Sequence, residues 1–347
     1  MCRKLKTAAL LELTGPSQKE DNGLKNTFKY YWNISKRMGL KYKKFPVYDT
    51  KGDVALNLKY LDKLYKCGYR IFIGFSRSSI LKQVLPWFNA HPDAIGISAT
   101  STAYSLAVKK HIYRMTPIDA GMQIALENDI LINQDQVPIK IYFLYQKDEF
   151  FSTEYLKSFQ DNAKIAQYLN VCTFTDKIMT SQLDNYLQNS TTKDIIVNGL
   201  VDINLLDVFN KVNYTISPKI YDNIGSNHPD FNQNQANNLS NKYSYFSYKG
   251  VNSSYLWRQG DDYSNKNNII FSPLGLDILQ VNQNLRKRKH PNYLAGNYGI
   301  LQFDPITKDR KYFSVTRENF KNGEWNISSI IFDDPTYGQI VSNISSI

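Results

Sequence analysis

Polar and apolar positions along the first two-thirds of the chain alternate between two periods. Ala8–Leu13 is a short apolar run that ends in the turn sequence Thr14-Gly15-Pro16-Ser17, and it predicts a buried first strand. Leu24–Met38 carries Phe28, Tyr31 and Trp32 at helical spacing, and Phe45–Tyr48 reads as a short strand. Asp53 stands where a cap is needed. Val54, Leu58, Leu61 and Tyr65 then mark one helix face, and Gly68 supplies the stop. Tyr69–Gly74 predicts a buried strand. Ser76-Arg77-Ser78-Ser79 is a polar loop leading into a helix with Ile80, Leu81, Val84, Leu85 and Phe88 on one side. His91-Pro92-Asp93 breaks that helix before a strand at Ala94–Ser98.

The cycle then repeats. Strands are expected at Ile112–Met115, Ile139–Tyr145, Val171–Phe174, Asp194–Val197 and Pro218–Tyr221. Helices are expected at Pro117–Leu131, Ser152–Tyr168, Thr180–Gln188 and Asp202–Val212. Strands alternating with helices give parallel βαβ units with right-handed crossovers. Residues 223–268 are rich in Asn, Ser, Tyr and Gly and read as loops with one or two short elements. Pro273–Leu285 restores a helical pattern. Gly299–Trp325 reads as antiparallel strands with turns at Thr307-Lys308-Asp309 and Asn322-Gly323.

Length turns this pattern into an architecture. A chain of 347 residues exceeds what one core organises, and two domains are expected. The units are too few and the chain too long for one closed barrel, so two doubly wound parallel sheets fit better. With 42% hydrophobic residues the chain can fill both cores, and three cysteines exclude a disulfide scaffold. No apolar run is long enough for a membrane-spanning helix. The apolar stretch behind the basic start is too short for a secretory signal, so a cytosolic protein or the mature or truncated form of an exported one is expected.

The formal charge of +11 permits an anionic partner without identifying one. Much of it is lysine spread over helix faces. The local exception is Arg286-Lys287-Arg288-Lys289-His290, where cations complement the end of the preceding helix or contact a phosphate backbone or an anionic membrane surface. Tyrosines are not interleaved with this run, which argues against specific nucleic-acid recognition.

Motifs of catalysis are missing. The sequence has no phosphate-binding glycine loop, no His-Glu-x-x-His, no Cys-x-x-Cys and no Gly-x-Ser-x-Gly. The four histidines have no metal-ligand spacing, so no enzyme, metal site or cofactor is expected.

Several segments together resemble one family. They are Ala9–Pro16, Tyr48–Asp53, Ile73–Ser79, Ile97–Thr102, Tyr113–Pro117 with Asp119, and, near the end, Tyr298–Asp304 and Gly323–Trp325. In order and spacing these are similar to the type I periplasmic binding proteins of the branched-chain amino acid, amide and urea branch. The resemblance implies an α/β fold of two doubly wound parallel-sheet lobes with a ligand cleft between them, crossed three times by the chain. It implies 5–118 plus 238–308 for the first lobe, 119–237 plus 309–332 for the second, and 333–347 as a C-terminal tail. The implied function is non-enzymatic binding or sensing of a small polar ligand, with a membrane transporter or receptor component as partner.

The resemblance and the strand ends point to the same residues. Ligands of open parallel sheets sit beyond the carboxyl ends of the strands. Ser78 and Ser79 follow one predicted strand and open a helix, and Thr100 and Thr102 follow the next. Hydroxyls beside free helix N–H groups suit a carboxylate or carbonyl oxygen. In the second lobe the resemblance implies an aromatic contact from Phe150 or Phe151 and an acidic partner for a ligand ammonium at Asp222. Leu200 stands where the family often has a tyrosine. That departure supports the alternative of a structural or interaction protein that keeps the fold without the ligand.

Overall fold

A computed structural model describes residues 4–37, 42–106, 111–116, 126, 129–130, 139–161, 163–174, 180–189, 193–200, 218–222, 243–247, 272–291, 294–296, 299–311, 314–321, 324–334 and 338–343. The chain divides into two compact units. Unit 1 comprises Met1–Ile118 and Gly250–Phe313, and unit 2 comprises Asp119–Lys249 and Ser314–Ile347.

Unit 1 is built on a parallel sheet of five strands in the order β2-β1-β3-β4-β5. These are β1 (Lys6–Leu11), β2 (Val47–Asp49), β3 (Tyr69–Gly74), β4 (Ile95–Ser98) and β5 (Ile112–Arg114). Successive side chains of a strand point to opposite faces, so each strand feeds two layers. Ala9, Leu11, Ile71, Ile73 and Ile97 share one core with Leu24 and Phe28 of α1 (Gln18–Arg37) and with Ile278 and Val281 of α7 (Ser272–Arg286). On the other face Phe72 meets Trp87 and Phe88 of α3 (Ser78–Ala90) at ring centroids of 5.6 and 6.3 Å. Beside α3 runs α2 (Val54–Lys66), which buries Leu61 and Leu64.

The signals at the two ends of α2 hold, while its buried face is Asn57, Leu61 and Leu64 and shares only Leu61 with the expected one. Asp53 Oδ1 accepts the N–H of Leu56 at 2.6 Å, and Gly68, at φ +83°, takes the left-handed turn after the helix. By contrast, α1 begins at Gln18, six residues before the expected start. Its polar first turn hides the onset, because Asp21 is buried there despite its charge. The small antiparallel strands β11 (Leu294–Gly296), β12 (Gly299–Phe303) and β13 (Arg310–Lys311) complete the unit.

Unit 2 has an eight-stranded sheet in the order β16-β15-β14-β10-β9-β8-β6-β7. Its parallel part is β6 (Ile139–Gln146), β7 (Leu169–Phe174), β8 (Lys193–Asn198), β9 (Lys219–Asp222) and β10 (Tyr243–Ser247). Phe143 of β6 packs on Tyr155 and Phe159 of α4 (Phe150–Asp161). The short α5 (Ala163–Ala166) and α6 (Thr180–Gln188) follow in sequence, and Tyr186 of α6 lies against Tyr142 on the opposite face of β6. Expected helices at Pro117–Leu131 and Asp202–Val212 lie largely or wholly outside the described residues, which show helix at 126 and 129–130.

Three antiparallel strands extend this sheet: β14 (Ser314–Lys321), β15 (Glu324–Asp334) and β16 (Gly338–Asn343). Two expectations change as a result. Of the expected C-terminal tail, Asp333, Asp334 and Gly338–Asn343 are strand residues, with β16 pairing to β15 from Ser329↔Asn343 to Asp334↔Gly338. The stretch from 238 begins in unit 2, because β10 pairs with both β9 and β14, and the return to unit 1 falls at Gly250.

Candidate functional site

At the carboxyl edge of the unit 1 sheet, two loops carry the expected hydroxyls. The β3–α3 loop leaves Gly74 at φ +146° and Phe75 at φ +57°. A bulky residue with positive φ is rare and persists only where its surroundings hold it. Here the surroundings are the hydroxyls of the next loop. Ser98 and Ser101 donate to the Phe75 carbonyl at 3.2 and 2.5 Å, and Thr100 donates to the Ser76 carbonyl at 2.9 Å. Ser78 Oγ in turn accepts the N–H of Ala103 at 3.3 Å.

The predicted site residues therefore divide. Ser78 and Ser79, in the first turn of α3, and Thr100 and Thr102, in the loop after β4, are brought to one edge of the sheet. Within that group Thr100 and Ser78 lock the loops to each other, an assignment the sequence left open. Ser79 is half-buried and Thr102 buried, and neither hydroxyl has a hydrogen-bond partner among the described residues. Arg77 occupies the N-cap of α3 without a side-chain cap bond, and helix geometry leaves the first N–H groups without intrahelical acceptors. One edge thus presents helix N–H groups, a partial positive charge and two hydroxyls, which is a set of donors suited to an anionic or carbonyl oxygen.

Buried charges support these loops, and the sequence pattern did not single them out. Glu12 accepts the Ser17 N–H at 2.9 Å on one oxygen and the Arg77 guanidinium at 3.1 Å on the other. Arg77 also donates to the Gly52 carbonyl at 3.2 Å. Asp21 accepts from the Glu12 N–H at 2.6 Å and from the Ser76 hydroxyl at 2.5 Å. An acidic residue ending an apolar strand was the one visible hint, at Glu12. Nothing in its sequence distinguishes Asp21 from an exposed helix carboxylate.

Burial raises the Asp21 pKa from 3.8 to about 7, against the lowering effect of the Ser76 and Glu12 hydrogen bonds. The folded state then holds this proton more tightly than the unfolded chain does. Stability should fall as pH rises from about 4 to about 7, and stay at the lower level above. Asp21→Asn keeps one acceptor and supplies one donor. It should flatten that dependence and raise stability at pH 8, on the order of 2–4 kcal/mol for a shift of this size. Urea denaturation at pH 5 and pH 8 reads both effects. An unchanged pH slope in the variant would contradict the assignment.

In unit 2 the candidates occupy strand ends and the first turn of α4. Phe150 opens α4 and is half-buried, whereas Phe151 is buried and stacks on Tyr155 at 5.7 Å, which makes it a packing residue. Asp222 is the last residue of β9, and its side chain lies outside the described residues. Tyr221 before it is buried and donates to Asp129 at 2.7 Å. Leu200 is fully buried beyond β8, and its N–H is held by the Asn198 side chain at 3.1 Å. Its apolar side chain belongs to the core.

Among the described residues no group of three or more His, Cys, Asp or Glu side chains is placed to hold a metal ion. Cys67 is exposed, and burial pushes the Cys172 thiol up to about 12.

No protein-family model matches the sequence, and no curated protein matches it. Solved structures do match the fold. A leucine-binding protein from Thermotoga maritima superposes with a TM-score of 0.73 at 13% identity, covering 96% of this chain and 99% of its own. The branched-chain amino acid transporter substrate-binding protein of Streptococcus pneumoniae, solved with isoleucine, gives 0.70 at 14% identity over 98% and 100%. An ABC transporter substrate-binding protein from Desulfitobacterium hafniense, solved with leucine, gives 0.69 at 14% identity over 94% and 100%. The chain has the α/β fold of the type I periplasmic binding proteins.

Proposed function

We propose that this protein is a non-enzymatic binding protein or sensor for a small polar ligand such as an amino acid, an amide or a urea-like compound. The observation that carries this reading is the edge of the unit 1 sheet. There an uncapped helix N-terminus stands beside the Ser79 and Thr102 hydroxyls, in a fold whose solved examples include amino-acid complexes. The oxygen-bearing head of the ligand would be received by the first turn of α3 and by Thr102. Ser78 and Thr100 would hold the receiving loops in place. Phe150 and Asp222 of unit 2 are proposed as further contacts, Asp222 for a ligand ammonium. A membrane transporter or receptor component is the proposed partner.

Thermal-shift screening against amino acids, amides and urea should yield at least one stabilising ligand, because a ligand that binds only the folded state raises its apparent stability. For that ligand, Thr102→Ala with Ser78→Ala should weaken binding by roughly tenfold or more, the scale of a hydrogen bond to a charged group. Unchanged affinity in the double variant would refute the site.

A second reading has its own support. Leu200 is buried where the resemblance expects a tyrosine hydroxyl, and the Thr100 and Ser101 hydroxyls are engaged by the protein itself. In that case the fold serves as a structural or interaction module, and no member of the panel shifts the melting temperature.

A further inference from the structure

At the opposite, amino-terminal edge of the same sheet, unit 1 holds a second feature that the donor cluster above does not explain. A cavity of about 840 Å³ opens between the start of β1, the end of α2, the starts of β3 and β4, and the turn after α7. Its lining includes Lys4, Lys6, Lys66, Arg70, Arg288 and Lys289, with Asp93 as its carboxylate. The size lies within the range of small-molecule sites, roughly 300–1,000 Å³.

The cations are not all accounted for by the fold. Arg70 is paired with Asp93 at 2.6 Å, which Tyr65 also contacts, and its guanidinium donates to the Tyr65 and Tyr69 carbonyls. Lys6 donates to the Cys67 carbonyl at 3.1 Å and lies over the Tyr69 ring. Lys4, Lys66, Arg288 and Lys289 have no carboxylate within salt-bridge distance among the described residues, and all four are exposed. The ends of α2 and α7 that reach this cavity contribute about half a negative charge each. Four unpartnered cations exceed that offset several-fold. Arg288 is also fixed in a left-handed conformation, φ +57°, with its N–H bonded to the Leu285 carbonyl at 2.9 Å. The turn thereby delivers the distant Arg288-Lys289 pair to Lys4, just ahead of β1, and to Lys66 at the end of α2.

We propose that this basic cavity binds a multiply charged, phosphate-bearing anion. Like charges gathered around a concavity repel one another, and an anion with several charged oxygens relieves that repulsion while accepting their N–H donors. The source of the phosphate is a free polyphosphate or a lipid headgroup.

Titration calorimetry of the full chain with inorganic tripolyphosphate tests this. Saturable binding with one site is expected, weakening at least tenfold as salt rises from about 0.01 M to about 0.15 M. Lys66→Glu with Arg288→Glu should lose the binding. Lys29→Glu with Lys59→Glu makes the same change in net charge on exposed positions elsewhere and should keep it. Should the first pair fail to fold, Lys4→Ala with Lys289→Ala replaces it, with a loss of tenfold or more expected. Co-sedimentation with phosphatidylcholine vesicles, with and without phosphatidylglycerol, separates the sources. Binding to the anionic vesicles that tripolyphosphate competes away marks a headgroup, and tripolyphosphate binding without vesicle binding marks a free anion. Either outcome upholds the site. Absence of binding to both probes, or equal losses in the cavity and control variants, overturns it.

Discussion

Asp309→Asn is expected to lower the unfolding free energy by about 3–5 kcal/mol, the cost of leaving a buried charge without its counter-ion. Arg114, at 2% exposure, is among the largest fully buried side chains of unit 1. Its Nε donates to Asp309 at 2.5 Å and one terminal nitrogen donates to the Ala103 carbonyl at 2.6 Å. The other terminal nitrogen is buried with no hydrogen-bond partner among the described residues. The substitution would remove the charge that compensates this guanidinium while keeping the shape of the side chain. The neighbouring Arg310 adds a second tie, to the Met115 carbonyl at 3.2 Å and to Asp277 at 3.4 Å. A continuous path then runs from Asp309 through Arg114 and Ala103 to Ser78 Oγ. Urea denaturation gives the stability change. A loss below about 1 kcal/mol, typical of exposed pairs, would contradict the burial argument.

Gly74→Ala should cost about 3 kcal/mol or more, through strain at a special backbone angle combined with overpacking. A Cβ at this residue would stand far inside contact distance of the Leu10 carbonyl oxygen on the adjacent strand, and φ is +146°. Neither neighbour can give way easily, since Leu10 and Gly74 are themselves ladder partners in the β1–β3 pairing. The Gly74 carbonyl also accepts the Ala99 N–H at 3.2 Å, so displacement passes to the loop that carries Thr100 and Thr102. The variant should therefore lose ligand affinity as well as stability. A variant as stable as the parent would show that the close approach does not constrain this edge.

Much of the fold was legible because its elements obey simple periods. The helix from Val54 to Lys66 has a capping aspartate and a glycine stop that act as expected, whereas of the expected face Val54, Leu58, Leu61 and Tyr65 only Leu61 is buried, alongside Asn57 and Leu64. Past Arg70, the Ile71–Gly74 part of β3 is an unbroken apolar run because both faces are covered by helices. What escaped depends on pairing over long sequence distances. Nothing local in Tyr243–Ser247 announces that it joins the parallel and antiparallel parts of one sheet. Nothing local in Gly338–Asn343 announces its partner either.

The site was legible in position more than in role. Strand-end logic brought Ser78, Ser79, Thr100 and Thr102 to one edge. It did not foresee that the turned backbone at Phe75 and Ser76 would recruit the Thr100 hydroxyl as a brace, because positive φ at phenylalanine has no sequence signature. Arg114 and Asp309 are 195 residues apart, and their pairing is equally invisible until the strands assemble.

The carboxyl edge of the unit 1 sheet, in the function proposed, receives the polar head of a small ligand. A crystal structure of the protein with the strongest stabiliser from the amino-acid, amide and urea panel tests this most directly. An oxygen of the ligand is expected within hydrogen-bonding distance of the first N–H groups of α3 and of the Thr102 hydroxyl. A ligand bound elsewhere, with those donors left to water, would contradict it.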